Sequence, residues 1–288
     1  MSAPDQAAAG TIHDIGYQRY TGVRLGRGHA VRSLYTYSFR TAFGLGRSGK
    51  AKIFPFLVAG ILLVVGVVLA AIRAQLGVNP LTYLDFPVQL SFLLVLFLAA
   101  VTPELASRDL RNQVLPLYFS RPIGRDDYVL AKLGALVTAV LLVLGTPMFV
   151  MFLGGAFSAD SAGGVWDEFT DLIPGLLNAA IYAIVLSAVT LLVASVTSRR
   201  TIAAGAVVAV FLVPTAITGV LMVLGGGAVR QLSSLFSVTG ILNGVRTWLF
   251  GDSKLDIGSF GPLYAAAAVI LVGLATVLLV YRYRKVAA

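Results

Sequence analysis

The sequence predicts an all-α polytopic membrane protein: six transmembrane helices, an amphipathic interfacial helix before them, and a re-entrant or interfacial helical segment before the last span. Three observations carry this. The 288 residues are 58% hydrophobic and only 12% charged, with a mean hydropathy of +0.87, far too apolar for a soluble domain of this length. Apolar runs recur that approach the roughly twenty residues needed to cross about 30 Å of hydrocarbon. The basic residues fall on alternate connections between those runs.

Residues 1–27 form a small, polar and then basic tail, and no cleavable signal peptide is expected ahead of the first apolar run. Residues 28–52 divide into an amphipathic helix and a basic hinge. Val31, Leu34, Tyr35, Phe39, Ala42 and Phe43 recur at helical spacing, while Arg32, Ser33, Thr36 and Arg40 take the opposite side. Such a helix lies in the headgroup layer or packs on the bundle. The transmembrane domain occupies 53–281, with spans expected at 53–72, 86–102, 133–153, 176–196, 202–224 and 262–281. As drawn, none of them contains Asp, Glu, Lys, Arg or His. A glycine-interrupted apolar stretch, 225–261, is too apolar for a free loop and too broken for a span, so its backbone needs internal partners. Residues 282–288 close the chain.

With the amino end in the cytoplasm, eighteen of the twenty-two Lys and Arg residues fall inside, and only Arg73, Arg230, Arg246 and Lys254 outside. Both termini are therefore expected in the cytoplasm. The formal charge of +9 reflects this retention of basic residues rather than a nucleic-acid partner. Cysteine is absent, which removes disulfides and thiolate metal sites.

Chemistry within the chain is thinly supported. Gly44-Leu-Gly-Arg-Ser-Gly49-Lys50-Ala51 matches a glycine-rich phosphate loop except at its last position, where a magnesium-binding hydroxyl is replaced by Ala51 and where an amphipathic helix, not a strand, comes before it. It is better read as the basic hinge. His13 and His29 are too few for a metal site. Ser91, Ser187 and Ser195 have no basic partner at depth, so a serine hydrolase lacks its base, and they are expected to pack helices alongside Gly60, Gly66, Gly205, Gly219 and Gly273. The spans also lack the buried carboxylates of ion-coupled transporters.

The segment 104–132 concentrates charge between two apolar runs. Glu104 follows the second span, Leu115, Leu117 and Ser120-Arg121-Pro122 come after it, and Arg125, Tyr128 and Lys132 precede the third span. This pattern resembles the hallmark loop of permease subunits of type-2 ATP-binding-cassette (ABC) exporters, and the stretch 12–22 resembles tails found on actinobacterial members. The Gly-Thr pair often seen after the acidic residue is absent, with Ser107-Arg108-Asp109 in its place. The resemblance implies a coupling element seated in a groove of a separate ATPase. Leu115, Leu117, Tyr118 and Phe119 would form an apolar anchor, and Asp109, Arg121 and Arg125 rim charges. Pro122 would end the short helix. The alternative is that Leu117 and Phe119 dip into the interface and the charges are solvated.

The resemblance further implies a chain that is not itself an enzyme and carries no cofactor, with ATP and magnesium on the partner ATPase. Its other partners would be a second permease copy or a paralogue and the lipid of a bacterial plasma membrane. Gln89, Asn178, Tyr182 and Thr190 are hydrogen-bonding groups within the weakly polar spans, marking either a path for an amphipathic or lipid-like cargo or contacts between helices. A membrane channel or scaffold without an ATPase is the other functional class that the composition allows.

Overall fold

A computed structural model describes residues 22, 25–120, 122–251 and 255–286. The stretch 12–22, apart from Gly22, and the loop residue Arg121 lie outside the described residues. The chain runs α1 (Arg27–Ala42), α2 (Gly49–Leu76), α3 (Phe86–Gln89), α4 (Ser91–Leu105), α5 (Ser107–Arg111), α6 (Leu115–Phe119), α7 (Arg125–Phe157), α8 (Ala162–Ser195), α9 (Arg200–Leu224), α10 (Ala228–Leu232), a 3₁₀ turn (Ser233–Phe236), α11 (Val238–Phe250) and α12 (Gly261–Val286). No strand occurs among the described residues. Six helices are long and apolar enough to cross a membrane: α2, α4 with α5, α7, α8, α9 and α12. This is an all-α polytopic membrane architecture.

α7 and α8 outrun the expected spans furthest. At 33 and 34 residues, α7 and α8 are about 50 Å long against about 30 Å of hydrocarbon. Their extra turns are amphipathic or polar, so hydropathy ends where the helix does not, and local caps set the true starts. Asp127 accepts the Gly124 N–H (2.9 Å) ahead of α7, and the Ser161 hydroxyl accepts the Gly164 N–H (3.2 Å) ahead of α8.

α4 and α8 are the most enclosed helices, whereas α2, α9 and α12 turn most of their apolar surface outward. Close approach between helices falls on small residues, as expected where hydrocarbon removes the hydrophobic drive between helices. A Cβ on Gly66 would come within 2.8 Å of the Pro147 side chain, and one on Gly154 within 2.5 Å of Ala70. Of the five glycines expected to pack helices, only Gly66 does so; Gly60, Gly205, Gly219 and Gly273 face open space. A small residue permits close packing only where a partner helix crosses at its depth.

α1 lays its apolar face on the bundle, burying Leu34 and Ala42. It follows the first turns of α7: Arg27 pairs with Asp127 at 2.7 Å, and the Tyr35 hydroxyl donates to Thr138 at 2.8 Å. In the segment before α12, the two glycines that interrupt the apolar pattern are points of contact. Gly240 packs on the Ser234 carbonyl and Gly244 on the Tyr264 ring, at distances that leave no room for a Cβ. α11 is capped by the Ser237 hydroxyl and buries Ile241, Leu242 and Val245 against the bundle.

Ion pairs sort the connections to two ends of the bundle. At the basic end, Glu104 binds Arg47 (2.5 Å) and Arg200 (2.7 Å), Asp126 binds Arg284 (3.3 Å), and Arg282 donates to the carbonyls of Ser195 and Val196. The amino-terminal helix, segment 104–132, the turn at 199–200 and the carboxyl end therefore share one end. At the opposite end, Glu168 binds Arg73 and accepts the Tyr83 hydroxyl (2.7 Å), while Asp85 binds Arg246 (2.6 Å). Burial, reinforced by the bond to Glu168, raises the pKa of the Tyr83 phenol above its ordinary value.

Candidate functional site

The connection between the second and third spans is a pair of short helices held from behind. α4 breaks at Ala106, and the Ser107 hydroxyl donates to the Ala194 carbonyl at 2.7 Å, pinning α5 to α8. The chain reverses at Gln113, the only non-glycine with positive φ (51°) among the described residues. Such a conformation costs about 1–2 kcal/mol and is retained where the surroundings fix it. Pro116 then starts α6 with its ring in the first turn, where no backbone donor is lost, and the Ser120 hydroxyl donates to the Leu117 carbonyl at 3.0 Å as α6 ends.

Asp109 and Lys132 are 7% and 3% exposed and form an ion pair at 2.5 Å. The Tyr128 hydroxyl donates to the same carboxylate oxygen at 2.8 Å, and the Lys132 ammonium also donates to the Leu105 carbonyl. The charges are thus saturated by partners on α4, α5 and α7, the condition for a buried pair to be tolerated. This corrects the expectation that Asp109 is a rim charge. The α5 turn directs it inward, where Lys132 is its counter-charge.

Tyr128 is the hub of an aromatic cluster. Its ring centre lies 5.6 Å from Tyr118, 5.8 Å from Phe119 and 5.0 Å from Tyr283 of α12, and Lys132 sits 4.6 Å above it. Arg125 lies 5.6 Å from the Phe119 ring centre. The four-residue apolar anchor expected on α6 is therefore divided. Leu115 is buried at 3%, and Tyr118 and Phe119 pack inward on Tyr128, leaving Leu117 outward at 68% exposure, with Pro122 also exposed. A helix of five residues has little more than one turn, so it cannot present all four to one partner. Beside Leu117 a groove of about 680 Å³ opens between α1 and α6, lined by Leu34, Tyr37, Val114, Tyr118 and Ile123.

Glu104 closes the site from the membrane side. Its two arginines join the end of α4 to the hinge before α2 and to the start of α9. That hinge is not a phosphate loop: α1 precedes it, Ala51 is helical, and at Gly44 (φ 66°) a Cβ would meet the Ala51 carbonyl at 2.6 Å. The backbone there is closed on itself rather than open to a ligand.

The four polar residues considered for a cargo path do not converge. Asn178 donates to the Leu84 carbonyl (3.0 Å), Tyr182 to the Asn243 side chain (2.8 Å) and Thr190 to the Leu186 carbonyl (2.8 Å), whereas Gln89 is exposed on α3. The first two act as contacts between segments, and Thr190 also accepts from Thr102 of α4 at 3.4 Å. Sequence reasoning did not find the Glu104 clamp or the Asp85–Arg246 and Arg73–Glu168 pairs. Their one signal was opposite charges at the same end of neighbouring spans.

No protein-family model matches the chain, and no curated protein matches it.

Proposed function

We propose that the chain is the membrane-spanning permease subunit of a type-2 ABC exporter, driven by a separate ATPase that grips α6. The observation that carries this reading is Leu117. It is an exposed leucine on a short helix, and Leu115, Tyr118 and Phe119 of that helix are fastened into the bundle. An exposed apolar side chain on a rigid mount is the form of an interface anchor. A push on α6 would travel through Tyr128 to α7 and, by Tyr283, to α12. The Asp109–Lys132 pair would carry it to α5 and the Glu104 clamp to α2 and α9.

In this reading the basic end faces the cytoplasm of a bacterial cell, the plasma membrane holds the chain, and a second copy or a paralogue completes the transporter. The cargo class favoured by the apolar spans is amphipathic or lipid-like. ATP and magnesium belong to the partner. The deciding experiment is co-purification with an ATP-binding subunit co-expressed from the same source. The wild-type chain should retain it and Leu117→Asp should lose it; equal retention by both would refute the coupling role. A reporter fused after Arg200 should be active on the cytoplasmic side only.

A further inference from the structure

Each of the four described carboxylates at the basic end already holds a cation: Glu104 binds Arg47 and Arg200, Asp109 binds Lys132, Asp126 binds Arg284, and Asp127 binds Arg27. Arg32, Arg40 and Arg108 form no ion pair among the described residues, yet all three line one groove of about 620 Å³, together with Thr36, Tyr37 and Arg47. With each of these carboxylates engaged, the described residues supply no free charge complementary to this groove.

The depth of the groove identifies the source. Its lining residues Arg47 and Arg108 lie within a few positions of the start of α2 at Gly49 and the end of α4 at Leu105, the level at which spanning helices leave hydrocarbon for headgroups. Leu45, exposed at 38%, lies on the same lining. An apolar side chain beside unpaired guanidiniums matches the boundary between acyl chains and phosphates better than it matches free water. Arginine also pairs with phosphate through two parallel hydrogen bonds, which a lone ammonium cannot supply.

We propose that this groove binds the headgroup of an anionic phospholipid, with Arg32, Arg40 and Arg108 as its phosphate ligands. The site is independent of any ATPase partner. It ties a lipid of the surrounding leaflet to α1 and to the α4–α5 junction, so membrane composition acts on the same elements that position α6.

The test is native mass spectrometry of the detergent-solubilised full chain, titrated with dioleoylphosphatidylglycerol and, separately, dioleoylphosphatidylcholine. The wild-type protein should prefer the anionic lipid at least tenfold. Each arginine near an anionic headgroup contributes about fivefold, so the triple variant Arg32→Gln, Arg40→Gln, Arg108→Gln should lose at least tenfold in phosphatidylglycerol affinity with phosphatidylcholine unchanged. Arg199→Gln with Lys285→Gln should leave the preference intact. If the triple variant does not fold, Arg32→Gln and Arg40→Gln singly, both at exposed positions, should each weaken the anionic lipid about fivefold. The proposal is overturned if a folded triple variant, or both single variants, keep the wild-type preference. It is also overturned if the Arg199/Lys285 control loses as much as the triple variant, or if inorganic phosphate in millimolar excess displaces the lipid, which would make the groove a site for free phosphate. Unchanged lipid preference with lost ATPase co-purification would assign it to a protein partner instead.

Discussion

Asp109 and Lys132, 23 positions apart, meet at 2.5 Å in the buried junction where the second span hands over to the third. The pair is sealed by Tyr128 and by the Leu105 carbonyl, so neither charge can be removed without stranding the other. Asp109→Ala or Lys132→Met alone should cost about 3–5 kcal/mol, whereas replacing both with apolar residues should cost much less. Thermal unfolding in detergent checks this. A double variant as unstable as the sum of the singles would show that the two do not act as a pair.

Stability and partner binding should separate on α6. Leu115→Asp places an unpaired charge in a buried position and should destabilise the fold by 3 kcal/mol or more, on the order expected for a buried carboxylate. Leu117→Asp, at an exposed position, should change stability by no more than about 0.5 kcal/mol while abolishing ATPase co-purification. Equal destabilisation by both would mean that Leu117 is a packing residue.

Gly66 and Gly60 provide a matched comparison six residues apart on α2. Gly66→Ala drives a methyl group into the Pro147 backbone and side chain and should cost about 1–3 kcal/mol. Gly60→Ala meets nothing within 4 Å and should be neutral or slightly stabilising through helix propensity, by up to about 1 kcal/mol. Unfolding midpoints of the two variants, measured side by side, decide the matter.

Glu104→Gln removes the anion shared by Arg47 and Arg200. Both arginines are partly solvated, which discounts the pairs, so the expected loss is only about 1–2 kcal/mol. The larger effect should be local: hydrogen exchange should accelerate at 44–52 and at the start of α9, with the core of α8 unaffected. Uniform acceleration across the bundle would contradict a local clamp.

The spans were legible because hydrocarbon imposes a length and a composition that one sequence displays directly. The grouping of connections at two ends was legible for the same reason, since Arg47 precedes the first apolar run, Arg200 lies between the fourth and fifth, and Arg284 follows the sixth. The starts of α7 and α8 were not, because Asp127 and Ser161 cap helices whose first turns are polar. At the candidate site, charge and Pro122 marked the connection, but the inward turn of Asp109, Tyr118 and Phe119 depends on Tyr128 and Tyr283, which lie on two different helices. Likewise the partnership of Asp85 with Arg246 spans 161 positions and has no local signature.

The overshoot of α7 has a mechanical meaning. Arg125 lies about 33 Å along the helix from Pro147, and Phe157 about 15 Å beyond it, at 1.5 Å of rise per residue. Pro147 rests against Gly66, a close crossing of α7 with α2 about two thirds of the way along α7. Treated as a rod with its fulcrum there, α7 is a lever with unequal arms. A sideways stroke at the Arg125 end would reach the Phe157 end reversed in direction and roughly halved in amplitude, a reduction gear that exchanges travel for force.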